Sequence, residues 1–460
     1  MNLPSHLAPE RLTIMIVGDS MTHGEEGDWT WRYRIWEWFQ HAAPHVKVRF
    51  VGPYTGTVPP PKSHPPLPPR LPGEKDPDER DSMAGGYAKD ISPDFDREHF
   101  AHTGRQMKQA KDEIYSQVSI YKPDMLLTML GFNDLAWFVS SGAEETLEDT
   151  KTFIDQARAA NPDIRFVMGN IPQRTHTGRD DLVKKTSKYN SLLHHAISGW
   201  STSRSRIEGV EIERSYGYVP DECKGTFDGL HPNALGDYQI ACAFSRTLHH
   251  AFGYGNKPLA MPKHIPKRAL PVPSNLKAFG APYGVACTFD AVYGCHGYDT
   301  RQRKQGESDW NEGYTGMNRI DHTFTSPGEK WEFQVRASGG LHEKGEWSEV
   351  VRATAERNTA PPPKNVQVYS TPLGFEATWE PLDDSWEVDR YVALYQDRTE
   401  NGFLCGVASK GTSASVNDLK QGHRVDVMMQ TWTAAGPGAP EHGGTIVVGS
   451  GVFSRPASRH

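Results

Sequence analysis

Apolar positions in the first 255 residues form two alternating kinds of run. Short, compact stretches occur at LTIMIVG (12–18), VKVRFVG (46–52), DMLLTMLG (124–131), IRFVMGNI (164–171) and GVEIERS (209–215). Between them, TWRYRIWEWFQHA (30–42) puts Trp31, Ile35, Trp38 and Phe39 on one stripe. LEDTKTFIDQARAANP (147–162), LVKKTSKYNSLLHHAISGW (182–200) and NALGDYQIACAFSRTLHHAFG (233–253) have the same helical spacing,. In the last of these, Asn233 reads as an N-cap and Gly253 as a stop. The first, third and fourth compact runs are nearly continuous in apolar residues, as expected of strands covered by helices on both faces. The alternation predicts an α/β unit over 1–255, a three-layer doubly wound sheet of five parallel strands.

One segment interrupts this order. YTGTVPPPKSHPPLPPRLPGEKDPDERDSMAGG (54–86) is Pro-rich, charged and too long for an ordinary connection, which suggests a functional lid or disorder,. Pro65, Pro68 and Arg70 fit a PxxP-type ligand; the alternative is a polyproline loop packed beside a site in its own chain.

After Gly253 the pattern changes. A Pro- and Lys-bearing linker (256–273) leads to short alternating strands with turn signals and little helical spacing, as expected of all-β sandwiches,. Two copies can be superposed in sequence, 274–356 and 362–455, separated by a second linker at 357–361. Each resembles a fibronectin type III domain. Phe289 and Trp379 stand at the large aromatic of the second strand, and QVRASGGLHEKGEWSEVVRATA (334–355) matches the final hairpin. Trp331 stands where the core tyrosine of the sixth strand is usual, or that tyrosine is missing.

Charge and cysteine content narrow the possible functions. A net charge of −7 and the lack of a basic stripe give no reason to expect a nucleic-acid partner,. No apolar run reaches the ~20 residues needed to span a bilayer. MNLPSHLAPERLT has no apolar signal core, so a cytoplasmic protein or a secreted one with its leader removed is expected,. Cys223, Cys242, Cys287, Cys295 and Cys405 are odd in number and have no paired Cys-x-x-Cys spacing,. Cys287 and Cys295 are close enough to be bridged across neighbouring strands, but buried free thiols are the plainer reading.

The candidate chemistry begins where the first apolar run stops, at Gly18-Asp19-Ser20. Ser20 either caps the next helix or is placed to react. The third run ends in Gly131-Phe132-Asn133-Asp134, which places an amide at the same kind of strand end, with Asp134 able to buttress the turn. Downstream, TFDGLHPN carries Asp228 and His231. Three-residue spacing on a turn lets the carboxylate reach one imidazole nitrogen and leaves the other facing outward, the base and orienter an unactivated serine needs. Asp19 adjoins Ser20 and points away on an extended backbone, so it is not expected to be that orienter.

These blocks, in this order, resemble the SGNH (GDSL) hydrolase superfamily, with a flavodoxin-like sheet. By position, the resemblance implies that Ser20 is the nucleophile, Asn133 the oxyanion-hole amide, His231 the base and Asp228 its partner. FAHTGRQM (100–107) fits the glycine block, which makes Gly104 an oxyanion donor together with the Ser20 backbone. GDSMTHG, WRYRIWEWF, HTG and DGLHPNALGDYQIA are most similar to family 3 carbohydrate esterases and related acetylxylan esterases. The chain departs from that pattern at Phe132, at Arg105 and in the long insertion, all of which bear on the substrate. Phe132 either narrows the acyl pocket or packs under the turn.

Further substrate contacts are expected at Asp19, Trp29 and Phe132. Trp29, Trp31, Trp36 and Trp38 form either a sugar-stacking platform or core. His23 is the only imidazole in the loop after Ser20 and no second ligand sits at a usable spacing, so no metal is expected there, nor any other cofactor; His23 either touches substrate or, as is more usual for a loop histidine, is solvated. The expected activity is serine ester hydrolysis through an acyl-enzyme, removing O-acetyl groups from a carbohydrate. The alternatives are an esterase, lactonase or acyltransferase for a small-molecule ester, and a non-catalytic binding or adhesion protein. The sandwiches are expected to bind a polymer, a protein or the catalytic unit.

Overall fold

The computed structural model describes residues 10–75, 81–137, 142–174, 180–216, 224–323, 325–400, 402–451 and 453–454. Cys223, the N-terminal segment 1–9 and part of the Pro-rich insertion (76–80) lie outside the described residues. The other four cysteines are free, so Cys287 and Cys295 are not bridged.

The first unit runs β1 (Glu10–Gly18), α1 (Ser20–His23), α2 (Thr30–Ala42), β2 (Val46–Phe50), β3 (Phe100–Ala101), α3 (Met107–Tyr121), β4 (Met125–Met129) and α4 (Phe132–Ala136). It continues with α5 (Ala143–Ala160), β5 (Arg165–Gly169), α6 (Asp180–Trp200), β6 (Ile207–Val210), α7 (Ile212–Ser215) and α8 (Ala234–Phe252). Five strands form a parallel sheet in the order β2-β1-β4-β5-β6, with the short β3 also pairing with β1; the fifth is Ile207–Val210 rather than 209–215, because Ile212–Ser215 turn into α7 with Ile212 buried. Successive side chains of β1 serve opposite layers, as a strand's period of two requires. Leu12, Ile14 and Ile16 pack with α2, α6 and α8; Met15 and Val17 pack with α3 and α5. Burying each such aliphatic side chain contributes about 1.5–3 kcal/mol relative to exposure. The four tryptophans at 29, 31, 36 and 38 are core, and Trp31 stacks on Phe244 with centroids 4.6 Å apart.

Register then positions the site. Gly18 lies opposite both Ala101 and Met129, and Met129 opposite Gly169, so β1, β3, β4 and β5 end together at one rim. The chain segments leaving that rim are Asp19-Ser20, His102-Thr103-Gly104 and Gly131-Phe132-Asn133.

The remaining residues form two antiparallel sandwiches. In the first, strands Lys277–Ala281, Gly284–Thr288 and Arg319–His322 form one sheet. Its Val285 and Cys287 pack on Trp331 and Phe333 of the other sheet. In the second, Val368, Phe375 and Trp379 pack on Tyr391, Val425, Val427 and Met429. Lys330–Ala337 and Val351–Thr354 pair as the expected hairpin, with Phe333 opposite Val351.

The units are tied together. Asp28 Oδ1 accepts from His296 Nε2 (3.0 Å) and from the Arg268 guanidinium, Tyr293 Oη donates to the Tyr87 carbonyl (2.6 Å), and Leu341 N donates to the Phe227 carbonyl (2.7 Å). At Gly27 and Gly294, both with positive φ, the backbones come so close that a Cβ on Gly27 would lie 2.3 Å from Gly294 Cα. The Pro-rich insertion is a strap within its own chain. Pro65, Pro66 and Pro68 line a cavity with Tyr283 and Trp432, and Leu71 packs on Val392 and Ala408. Glu74 accepts two hydrogen bonds from Arg390 (2.6 and 2.9 Å), which also donates to the Pro69 carbonyl.

Candidate active site

The turn after β1 settles what caps the short helix. Asp19, not Ser20, is the N-cap of α1: its Oδ1 accepts from Met21 N at 3.0 Å. The Ser20 hydroxyl is left free to face outward. Gly18 cannot be replaced here, because a Cβ would fall 2.1 Å from Thr22 Oγ1. Ser20 Oγ stands 2.9 Å from His231 Nε2, and His231 Nδ1 stands 2.7 Å from Asp228 Oδ2. The other Asp228 oxygen accepts from the backbone N–H groups of Leu230 (3.0 Å) and His231 (2.8 Å), which fixes the carboxylate. With Nδ1 facing an acceptor, the ring proton belongs on Nδ1 and the Nε2 lone pair faces the serine.

The electrostatics follow from this chain of contacts. Burial pushes the Asp228 carboxyl up, but the hydrogen bond and charge of His231 and two backbone donors outweigh it, leaving it well below the usual range. Burial pushes His231 down; the bond to Asp228, its charge, and those of Glu25 and Asp19 outweigh it and leave the imidazole above its ordinary value. Asp19 is held up to about 7, foremost by complete burial.

Gly104 and Asn133 reach the same rim by a second set of supports. Gly104 has φ +78°, a left-handed conformation that suits glycine,. Asn133 Nδ2 donates to the Arg105 carbonyl at 3.0 Å, which ties the amide to the glycine loop and leaves its second N–H uncommitted,. Asp134 caps α3, accepting from Met107 N (2.8 Å) and Lys108 N (3.0 Å), so it joins the asparagine's helix to the helix that follows Gly104. Burial holds the Asp134 carboxyl up to about 6.

The three residues expected to touch substrate are all buried. Asp19 is committed to its cap, and Phe132 packs in the core beneath the turn. Trp29 donates its indole N–H to Asp90 (2.7 Å) and lines a cavity beside the first sandwich with Arg268 and Tyr293.

Two supports were not expected from sequence. His23, read as solvated, is fully buried; its Nδ1 accepts from Thr103 N at 3.2 Å and so pins the loop that carries Gly104. Burial foremost, then the charge of Arg32, drive it down to about 3, so it is a neutral brace. Arg32, also fully buried, donates to the carbonyls of Thr22 (2.8 Å) and His23 (3.0 Å) and to Tyr87 Oη (3.0 Å). Its only sequence signal is position, an arginine next to Trp31 on the apolar stripe of α2. Away from the rim, Asp397, Glu400 and His423 converge on the second sandwich. There His423 already pairs with Asp397 (2.6 Å) and Lys420 with Glu400 (2.6 Å), so the set is satisfied without an ion.

With this geometry in view, the sequence matches the GDSL-like lipase/acylhydrolase family over residues 14–244, half of the chain. The chain belongs to that family. The protein is an SGNH-type esterase. No curated protein matches it. Among solved structures, the esterase is similar to a mutant acetyl esterase with an acetate ion, at 22% identity and TM-score 0.40, covering 53% of this chain and 98% of that one. It is similar to a family 3 carbohydrate esterase from Talaromyces cellulolyticus at 23% identity and TM-score 0.40, with the same coverage. A two-domain fibronectin type III segment of chicken tenascin is similar at 16% identity and TM-score 0.18, covering 38% of this chain and 99% of that one. No described helix of the esterase is long and apolar enough to cross a membrane.

Proposed function

We propose that the esterase removes short acyl groups, foremost O-acetyl, from a carbohydrate through a covalent acyl-enzyme on Ser20. The unbroken chain from Ser20 Oγ to His231 to Asp228, at 2.9 and 2.7 Å, carries this reading. Ser20 Oγ attacks the ester carbonyl while His231 Nε2 takes its proton. The oxyanion lies against the backbone N–H groups of Ser20 and Gly104 and the Asn133 amide. On collapse the acyl–oxygen bond breaks, His231 protonates the departing alcohol, and Ser20 holds the acyl group. Water then repeats the sequence and releases the acid. Asp228 keeps the ring in the required tautomer and stabilises the imidazolium.

Support for a short acyl group comes from the crowding at Gly104, where the Trp137 indole lies 3.2 Å from where a Cβ would be. Support for a carbohydrate comes from the resemblance of GDSMTHG, WRYRIWEWF, HTG and DGLHPNALGDYQIA to family 3 carbohydrate esterases. Acetate release from acetylated xylan is expected to exceed turnover of butyryl and octanoyl aryl esters in kcat/KM. Faster turnover of the longer acyl groups would remove the acetyl assignment.

The pH profile tests the base. An imidazolium cannot accept the serine proton, so activity is lost as pH falls through the His231 pKa. That value is raised above 6.5 by Asp228, Glu25 and Asp19 against the effect of burial. The acid limb of kcat/KM on an aryl acetate is therefore expected above pH 6.5; a midpoint below it would contradict the assignment.

A further inference from the structure

Between the turn after α1 and the first sandwich lies a cavity of about 190 Å³. Glu25, Pro60 and Pro61 line it from the catalytic unit, and His296, Tyr314 and Gly316 from the sandwich. Glu25 is half-buried, and no described residue donates a hydrogen bond to its carboxylate. Of its acidic neighbours, Asp28 is committed to Arg268 and His296 and Asp228 to His231, while Glu26 lines the same cavity. A half-buried carboxylate with no donor from the protein is open to donors from a bound molecule.

One aromatic ring stands between the cavity wall and the imidazole of His231. Phe227 lies against His231 with centroids 5.6 Å apart and against His296 at 3.7 Å, so one ring backs both the imidazole and the cavity wall. Glu25 lies within electrostatic reach of both His231 and Asp228. The sandwich wall is also fixed, since Tyr314 Oη bonds the His296 carbonyl and His296 Nε2 holds Asp28.

We infer that this cavity receives the alcohol portion of the ester, a polyhydroxylated group whose hydroxyls donate to Glu25 while the first sandwich forms the opposite wall. The inference rests on the ester-hydrolase reading of Ser20 and deepens it: the sandwich is part of the substrate site as well as a spacer. The apolar proline surface suits the C–H face of a sugar or glycerol unit, and the carboxylates of Glu25 and Glu26 suit its hydroxyls.

The test uses the full chain and two variants, one from each wall. Glu25→Ala removes one of the two carboxylates. Gly316→Leu fills the cavity beside Pro61, whose Cγ lies 3.2 Å from where a Cβ would stand. kcat/KM is measured on 4-nitrophenyl acetate, glycerol monoacetate and an acetylated xylo-oligosaccharide. In both variants the ratio of polyol ester to aryl ester is expected to fall about tenfold or more, the size of one hydrogen bond to a charged group. An unchanged ratio in either variant overturns the proposal, whether or not all rates fall together. A wild type that hydrolyses glycerol monoacetate but not the acetylated oligosaccharide would end the carbohydrate reading, and the cavity would still be judged on the glycerol ester.

Discussion

Ser20→Ala is expected to lower kcat on an acetyl ester by roughly 10⁶-fold, the scale seen when a serine hydrolase loses its nucleophile. The same change should abolish covalent labelling by a fluorophosphonate. The fold should survive, because Asp19 rather than Ser20 caps α1 and the side-chain bond lost is the one to His231. The backbone N–H groups of residues 20 and 104 and the Asn133 amide stay in place, so a residual acceleration of ~10³ over water is expected. A variant that keeps more than a hundredth of wild-type turnover, or still takes the label, would remove Ser20 from the chemistry.

Asp228→Asn should cost about 10⁴-fold in kcat at pH 7. The size of the loss follows from direction rather than bulk. An amide nitrogen facing His231 Nδ1 would be a donor opposite a donor, so the ring would turn its proton to Nε2 and lose the lone pair that faces Ser20. The backbone bonds from Leu230 and His231 to Oδ1 can persist with the amide oxygen in that place, so the turn should hold. Because Asp228 is the first of the influences raising His231, the acid limb should also move to lower pH. A loss under tenfold would mean that the carboxylate does not orient the base.

Much of the site was legible because its chemistry is written in short local blocks at strand ends. Gly18-Asp19-Ser20, Gly131-Phe132-Asn133 and Asp228-Gly229-Leu230-His231 each carry a side chain whose type and spacing limit what it can do. The helix α3 is not legible in the sequence, for the opposite reason. Of its fifteen residues only Met107, Ala110, Ile114 and Val118 are buried, a thin stripe among polar positions. The roles of His23 and Arg32 are not legible either, because a neutral buried histidine and a satisfied buried arginine look, in sequence, like ordinary exposed polar residues. Trp29 drew attention as a large aromatic before a helix, yet its indole is spent on Asp90.

The amino-acid sequence by itself determined the parallel sheet, the two sandwiches and the blocks that carry Ser20, Asn133, Asp228 and His231. Each depends on hydrophobic period or on contacts within a few residues, which linear order preserves. Only the tertiary structure decided what stands around those groups. Asp28 meets His296 across 268 positions, and Glu74 meets Arg390 across 316. The Asp28–His296 pair, buried between units, leaves no periodic trace in either segment. Its effect comes from exclusion of water at a surface that exists only once both segments have folded.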